Sequence, residues 1–414
     1  MVTTAAVTDW KPPNVRWKRA KTSPQRHSCD HAWPYYRIVT GDTAYNIAIG
    51  WPGSWKVWFE KASGGVHVEA KQEYTNFYLK PGEIARSPRI VVMALKGDSD
   101  CAVNMWRRWY FDHCLNRSQG SPLGAKSCYV HTGGDEFTLA DEENQLGAIS
   151  TYLERGEKPD IWWIDAGWYP CTNPDGLKGW TRTGDWRPDP EKFPHGLAPI
   201  GQLCEENGIQ PLLWFMPEFI HPDHWPKDNP EEFFVRLKNS VGDPWMDRIG
   251  LLDLGNPACR QWLTERVERI MTESHFKIYR QDFWPGPFPM AWWREMDGKE
   301  NRMGISENLH IQGYLRFWDD LLMDIPDLWI DSCAGGGRRN DIEAMLFMPP
   351  TTDMASTRSS RPSRKPGLNG PPISAPHPSP GTMKTDTMTR TSRLSIPSIP
   401  MPVTAPSVLS PHSP

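Results

Sequence analysis

No apolar run in the 414-residue chain is long enough to cross a bilayer, which excludes a membrane-spanning helix on sequence grounds. The eight cysteines form no Cys-x-x-Cys pair, so neither a zinc framework nor a disulfide scaffold is expected. The first residues, Met1 to Thr8, lack the basic stretch and apolar core of a secretory leader, and a cytoplasmic location is the expectation. A strong excess of one charge is missing as well. The formal net charge is −4, which gives no reason to expect nucleic acid or a membrane as partner. From about Thr351 to Pro414 there is no Phe, Trp or Tyr. Such a stretch cannot bury enough apolar area to offset its ordering entropy, so 351–414 reads as a disordered Pro/Ser/Thr-rich tail. The change is abrupt, and a reading-frame slip near residues 345–350 is an alternative to a natural tail. Translating the parent gene in its other frames separates the two.

Tryptophan, by contrast, is abundant at 22 residues. Most are expected to fill the core, although Trp162-Trp163 and Trp292-Trp293 would also suit stacking on sugar rings. Residues 1–28 are polar and basic without a period, and read as a disordered lead-in. Residues 29–125 carry short alternating segments: 35–39, 44–49, 55–59, 66–70, 75–79 and 89–93. Closely spaced strands of this kind predict a partial antiparallel β-sandwich, followed by a linking helix from Asp98 to His113.

After Lys126 the rhythm becomes strand, loop, helix, the signature of a parallel sheet covered by helices. Strands are expected at 127–131, 160–165, 210–215, 277–282 and 328–331, with helices at 141–155, 197–207, 257–274 and 307–323. Gly208 closes the second helix, and Asn256 followed by Pro257 opens the third. The fold class is therefore α/β. Residues 126–350 are read as a (β/α)8-type barrel with about five to six of eight repeats, and so as incomplete.

Candidate chemistry gathers where those strands end. His131 to Glu136 follows the first, Asp165 to Tyr169 the second, Trp214 to Glu218 the third, Asp282 to Trp284 the fourth and Asp331 to Arg338 the fifth. Carboxylates, aromatics and glycines at one rim suit a carbohydrate better than a phosphate or a metal. The Gly335–Gly337 run lacks the GxxxxGK[ST] form and its Lys. His221 and His224 stand in a Pro-rich surface loop, and no metal or other cofactor is expected. A lone Asp at a strand end more often caps the next helix, but five such rims together favour Asp282 as a reacting group.

Six ordered blocks carry a resemblance. Trp162 to Pro170 resembles the DDGW-containing motif of glycoside hydrolase family 36, the bacterial-type α-galactosidases. Gly184 to Leu197, Leu212 to Glu218, Leu252 to Pro257, Tyr279 to Phe283 and Asp331 to Arg338 resemble its later blocks in order. The resemblance implies a β-sandwich before a (β/α)8 barrel, and a retaining hydrolase of α-galactoside oligosaccharides, with a homo-oligomer open. It makes Asp282 the nucleophile, with Arg280 in the place of a Lys that would keep it charged and touch a sugar hydroxyl. Asp165 takes the place of a galactose-binding acid. Trp168, Trp186, Cys333, Gly336 and Arg338 match positions around the sugar.

Three features depart from the family. Ala166 replaces the second Asp of DDGW, which removes a polar contact to the sugar and puts strict galactose selection in doubt. The sandwich is shorter than the family's, so the start reads as incomplete. The family's general acid/base lies in a Ser-Asp motif, where this chain reads Met348 to Asp353, leaving Asp353 as a stand-in. An α-N-acetylgalactosaminidase or another α-glycosidase of the same fold is the alternative within enzymes. A non-catalytic sugar-binding protein, or a fragment without function, is the alternative outside them.

Overall fold

The computed structural model describes residues 20–21, 28–29, 32–62, 65–97, 99–114, 128–131, 140–172, 179–236, 249–283, 293 and 296–347. Among them no helix is long and apolar enough to cross a membrane. Asp353, Trp284, the 132–136 rim and the 351–414 tail lie outside the described residues. So does the 1–28 lead-in apart from β1 (Ala20–Lys21) and Ser28, and β1 pairs antiparallel with the sheet edge.

Two antiparallel sheets come first. Strands β2 (Tyr35–Thr40), β3 (Thr43–Gly50), β4 (Trp55–Ala62), β5 (Gly65–Gln72) and β6 (Arg89–Lys96) form the orders β2-β3-β6 and β1-β4-β5. Alternation decides what each face meets. Ile47 and Ile49 point one way into the main core. Ala48 points the other, joining Val91 and Met93 against Trp106 and Tyr110 of α1 (Ser99–His113). Tyr36 bridges the sheets, with its ring 5.0 Å from Phe59 and 6.2 Å from Trp55.

The expected strand at 75–79 does not form. Its only pairing is an isolated bridge from Asn76 to Met303, and Tyr78 and Leu79 are 57% and 49% exposed. Alternation there has no buried face to serve.

The second part is a parallel sheet. In chain order it comprises β7 (Cys128–His131), α2 (Glu142–Glu154), β8 (Ile161–Ile164), α3 (Ala198–Glu206) and β9 (Gln210–Phe215). Three short strands follow: β10 (Phe219–Ile220), β11 (Phe234–Arg236) and β12 (Gly250–Leu252). Then come α4 (Pro257–Glu273), β13 (Ile278–Gln281), α5 (Ile305–Asp324) and β14 (Trp329–Ser332). The strand order β14-β13-β9-β8-β7 is sequential and every pairing is parallel.

Caps set the helix ends where the sequence puts them. Asp141 accepts from Asn144 N at 2.8 Å in a reciprocal capping box, and Asn256 accepts from Ala258 N at 3.0 Å ahead of Pro257. Gly208 takes φ +63° just past α3. The β10-β12-β11 sheet was not expected, since strands of two or three residues leave no readable period.

The parallel sheet's two faces differ. Trp162, Ile164, Leu213, Phe215, Tyr279 and Ile330 face the helices, as when Trp162 Nε1 donates to Gln145 of α2 at 2.9 Å. The other face begins with a dry layer of Ile161, Trp163, Leu212, Ile278 and Trp329. Register then places Trp214, Arg280 and Asp331 side by side in the next row, with residue 165 beyond Trp214. The site lies one step further, at the strands' C-terminal ends.

Candidate active site

Asp282 follows β13 directly and is half-buried. Three N–H groups point at its carboxylate. Trp214 Nε1 donates to Oδ2 at 3.2 Å, while Phe283 N and Gly335 N each donate to Oδ1 at 2.7 Å. The third donor depends on an unusual turn. Gly335 and Gly336 take φ +65° and +97°, a left-handed path that glycine follows without the Cβ penalty, and it turns the Gly335 amide toward the acid. Charge-assisted bonds of this kind are short and directional, and they hold the carboxylate in one orientation.

Cys333 stands against the same carboxylate. Burial pushes its thiol up to about 12, with the charge of Asp282 adding to the effect, so it remains a neutral S–H. Asp165 directly follows β8 and is half-buried, with Ala166 N donating to its Oδ1 at 2.7 Å. Ala166 itself is 2% exposed and packed into the main core. Gly336 and Arg338 are half-buried in the loop after β14.

The aromatic residues form a wall behind these groups. Trp168 Nε1 donates to the Trp214 carbonyl at 2.8 Å, which holds β8's exit against β9. Trp186 is fully buried, 4.9 Å from Tyr169 and 6.0 Å from Trp168 between ring centroids. Tyr169 lies nearly parallel to Trp214 at 6.2 Å. Trp168 and Trp186 therefore set the position of Trp214 from behind.

Arg280 differs from its expected placement beside Asp282. Its guanidinium pairs with Asp331 and lies 4.2 Å over the Trp163 ring, and the residue is 1% exposed. Register explains the difference. Arg280 and Asp331 are direct neighbours across β13 and β14, so the cation meets the carboxylate beside it rather than the one two residues on. The charge of Asp282 is met by N–H donors instead.

Trp214 and Gly335 both fall within the rim segments that the sequence marks, with no role of their own legible there. The signal for Trp214 was its parity, since 214 shares a row with 280 and 165. The Gly335 amide left no such trace, because a backbone donor is invisible in side-chain patterns. Among the described residues, no group of three or more His, Cys, Asp or Glu side chains converges as metal ligands would.

Comparison with known proteins bears on this geometry. A family model described as Melibiase matches residues 142–359, more than half of the chain and the stretch that carries β8 to β14. The chain belongs to the Melibiase family. Relatives of this Melibiase member include alpha-galactosidase Mel36A of Lactobacillus acidophilus, 23% identical over 329 residues, covering 76% of this chain and 43% of that protein. Alpha-galactosidase AgaA of Geobacillus stearothermophilus is 22% identical over 275 residues, covering 66% and 36%. Among solved structures, GH36 alpha-galactosidase AgaA from Geobacillus stearothermophilus in complex with stachyose aligns with a TM-score of 0.61 at 18% identity. That alignment covers 81% of this chain and 46% of AgaA. The alpha-galactosidase from Lactobacillus brevis gives 0.62 at 15%, covering 81% and 45%. These structures share the fold, and the chain spans less than half the length of the curated relatives it matches.

Proposed function

We propose that this Melibiase family member is a retaining glycoside hydrolase that removes terminal α-galactosyl residues, with Asp282 as nucleophile. The observation that supports this best is the carboxylate of Asp282, held by three N–H donors at the C-terminal edge of a parallel sheet. The sequential strand order suits an arc of a (β/α)8 barrel, and the two antiparallel sheets suit the sandwich that precedes one. Structures of AgaA hold stachyose in one case and raffinose in another, which motivates α-galactoside oligosaccharides as substrates.

The chemistry divides into two displacements. In the first, an Oδ atom of Asp282 bonds to the anomeric carbon as the glycosidic C–O bond breaks, and the leaving oxygen takes up a proton. In the second, water attacks the same carbon, loses a proton, and Asp282 departs as a carboxylate. Each step inverts the carbon, so the product retains its configuration. Asp165, three positions before Trp168, is the group suited to bind sugar hydroxyls. Asp353 is the candidate for the proton-transfer role, a contribution of about 10²–10⁴-fold in rate.

Ala166 favours a second reading. Its methyl is packed into the core where the resembled motif carries a carboxylate, so one polar contact that would select galactose is missing, which suits an α-N-acetylgalactosaminidase or another α-glycosidase of the same fold. Hydrolysis of nitrophenyl α-galactoside alongside its N-acetyl counterpart tests both. Faster release from the first, with the α-anomer as first product by NMR, supports the proposal. A folded protein that cleaves neither contradicts it.

A further inference from the structure

We propose that Glu218 and Arg339 form a positioning clamp for Asp282, built from a buried ion pair that grips the nucleophile's neighbours on both sides. The clamp rests on the reading of Asp282 as the reacting carboxylate, and it extends that reading to residues that touch no substrate.

Glu218 lies just past β9 and is fully buried, and Arg339 is 4% exposed. The pair is bidentate: Arg339 Nη1 donates to Oε1 at 2.5 Å and Nη2 to Oε2 at 2.9 Å. Two further groups complete the carboxylate. Gln281 Nε2 donates to Oε1 at 2.9 Å, and His310 Nε2 of α5 lies 2.9 Å from Oε2. Burial alone would raise the Glu218 carboxyl, but Arg339 and His310 hold it well below the usual carboxylate range. The pair therefore stays charged over the whole pH range in which a glycosidase works.

What the pair grips gives it its meaning. Gln281 immediately precedes Asp282, and its Oε1 also accepts from Trp318 Nε1 at 2.7 Å and the Tyr279 hydroxyl at 3.0 Å. Phe283 immediately follows Asp282, and the Arg339 guanidinium lies 4.5 Å from its ring centroid. Arg339 also ends the loop whose Gly335 amide donates to Asp282 at 2.7 Å. One ion pair thus touches the residue before the nucleophile, the residue after it, and the loop carrying one of its donors. Simple structural ballast has no need to converge on those three points. Bidentate Arg–carboxylate geometry is directional, and it fixes β9, β13 and the post-β14 loop relative to one another. A misplacement of about 1 Å at a reacting group costs on the order of 10²-fold in rate, so a clamp at this place has a measurable effect.

Two variants test the clamp. Glu218→Gln removes the charge and keeps the shape. Gln281→Met leaves the ion pair intact but cuts its link to the strand of Asp282, and it decides the matter should the first variant fail to fold. Two readouts are taken on the full chain. One is the titration of Asp282, followed by its carboxylate carbon signal in protein labelled with 13C-Asp and assigned through Asp282→Asn. The other is the rate at which a fluorinated α-galactosyl fluoride labels Asp282, a step in which an Asp282 oxygen bonds to the anomeric carbon and fluoride leaves.

The clamp predicts that in each folded variant the Asp282 midpoint moves by roughly half a pH unit or more. Labelling slows about 10- to 100-fold, and the galactose Kd changes less than about threefold. An unchanged Asp282 titration in both folded variants overturns the clamp, whatever the labelling shows. A wild-type protein that resists labelling while its variants shift the titration overturns the hydrolase reading instead, and leaves the clamp standing.

Discussion

Trp214 and Asp282 stand on neighbouring parallel strands, and the indole Nε1 of the first donates to Oδ2 of the second at 3.2 Å. The tryptophan is held from behind by Trp168, whose own indole donates to its carbonyl. An aromatic ring thus serves here as a directed hydrogen-bond donor, on a sheet face where most other indoles fill space.

Trp214→Phe removes that N–H and keeps most of the ring packing. A hydrogen bond to a charged group contributes about 1.5–3 kcal/mol, and part of it is retained by the two amides on Oδ1. The variant is expected to lower kcat/KM for nitrophenyl α-galactoside by about tenfold. Steady-state kinetics checks this, and an unaltered kcat/KM would remove Trp214 from the site.

Asp282→Asn keeps the shape and an acceptor for the Phe283 and Gly335 amides, while it removes the charge and the oxygen that accepts from Trp214. Turnover is expected to vanish and galactose binding to persist, since the shape survives and the charge does not. Calorimetry with galactose beside the hydrolysis assay reads both halves. Residual hydrolysis at the wild-type rate would place the nucleophile elsewhere.

Asp331→Asn addresses the buried pair in the row beneath. With its partner neutral, Arg280 is left charged and 1% exposed over the Trp163 ring. Breaking one side of a buried pair costs about 3–5 kcal/mol. Urea unfolding should show a loss of that size, and a loss below about 1 kcal/mol would mean the pair carries little.

Glu307 supplies a pH dependence. It lies fully inside the contact between the antiparallel sheets and α5, where Ser54 N donates to its Oε1 at 2.5 Å, and burial pushes its carboxyl up from 4.5 to about 8. The folded pKa is raised, so stability is fully present below about 4.5 and is lost as pH rises toward about 8. The loss is about 1.4 kcal/mol per pH unit across that window. Asp341, pushed up to about 7 by burial, acts in the same direction. Urea unfolding between pH 5 and pH 8 should show falling stability in the wild type and a flatter dependence in Glu307→Gln. Equal slopes would contradict a protonated Glu307.

The strand and helix plan was legible because each element repeats a local rule. Asn256 and Pro257 announce α4, Gly208 closes α3, and the strand at 210–215 follows an apolar run. The site was legible only in its side chains. Asp282 and Asp165 could be placed at strand ends, but the partner of Arg280 depends on the β13–β14 register, which no local pattern encodes. Glu218, His310 and Arg339 meet from three distant segments, so their convergence belongs to the tertiary fold. The 75–79 segment shows the opposite failure: alternation was present, and no buried face was there to receive it.

The most direct test is to incubate the protein with a fluorinated α-galactosyl fluoride, digest it, and locate the modified peptide by mass spectrometry. The account predicts one added fluoro-galactosyl group on Asp282, absent from the Asp282→Asn variant. A label on any other residue, or its persistence in that variant, would contradict it.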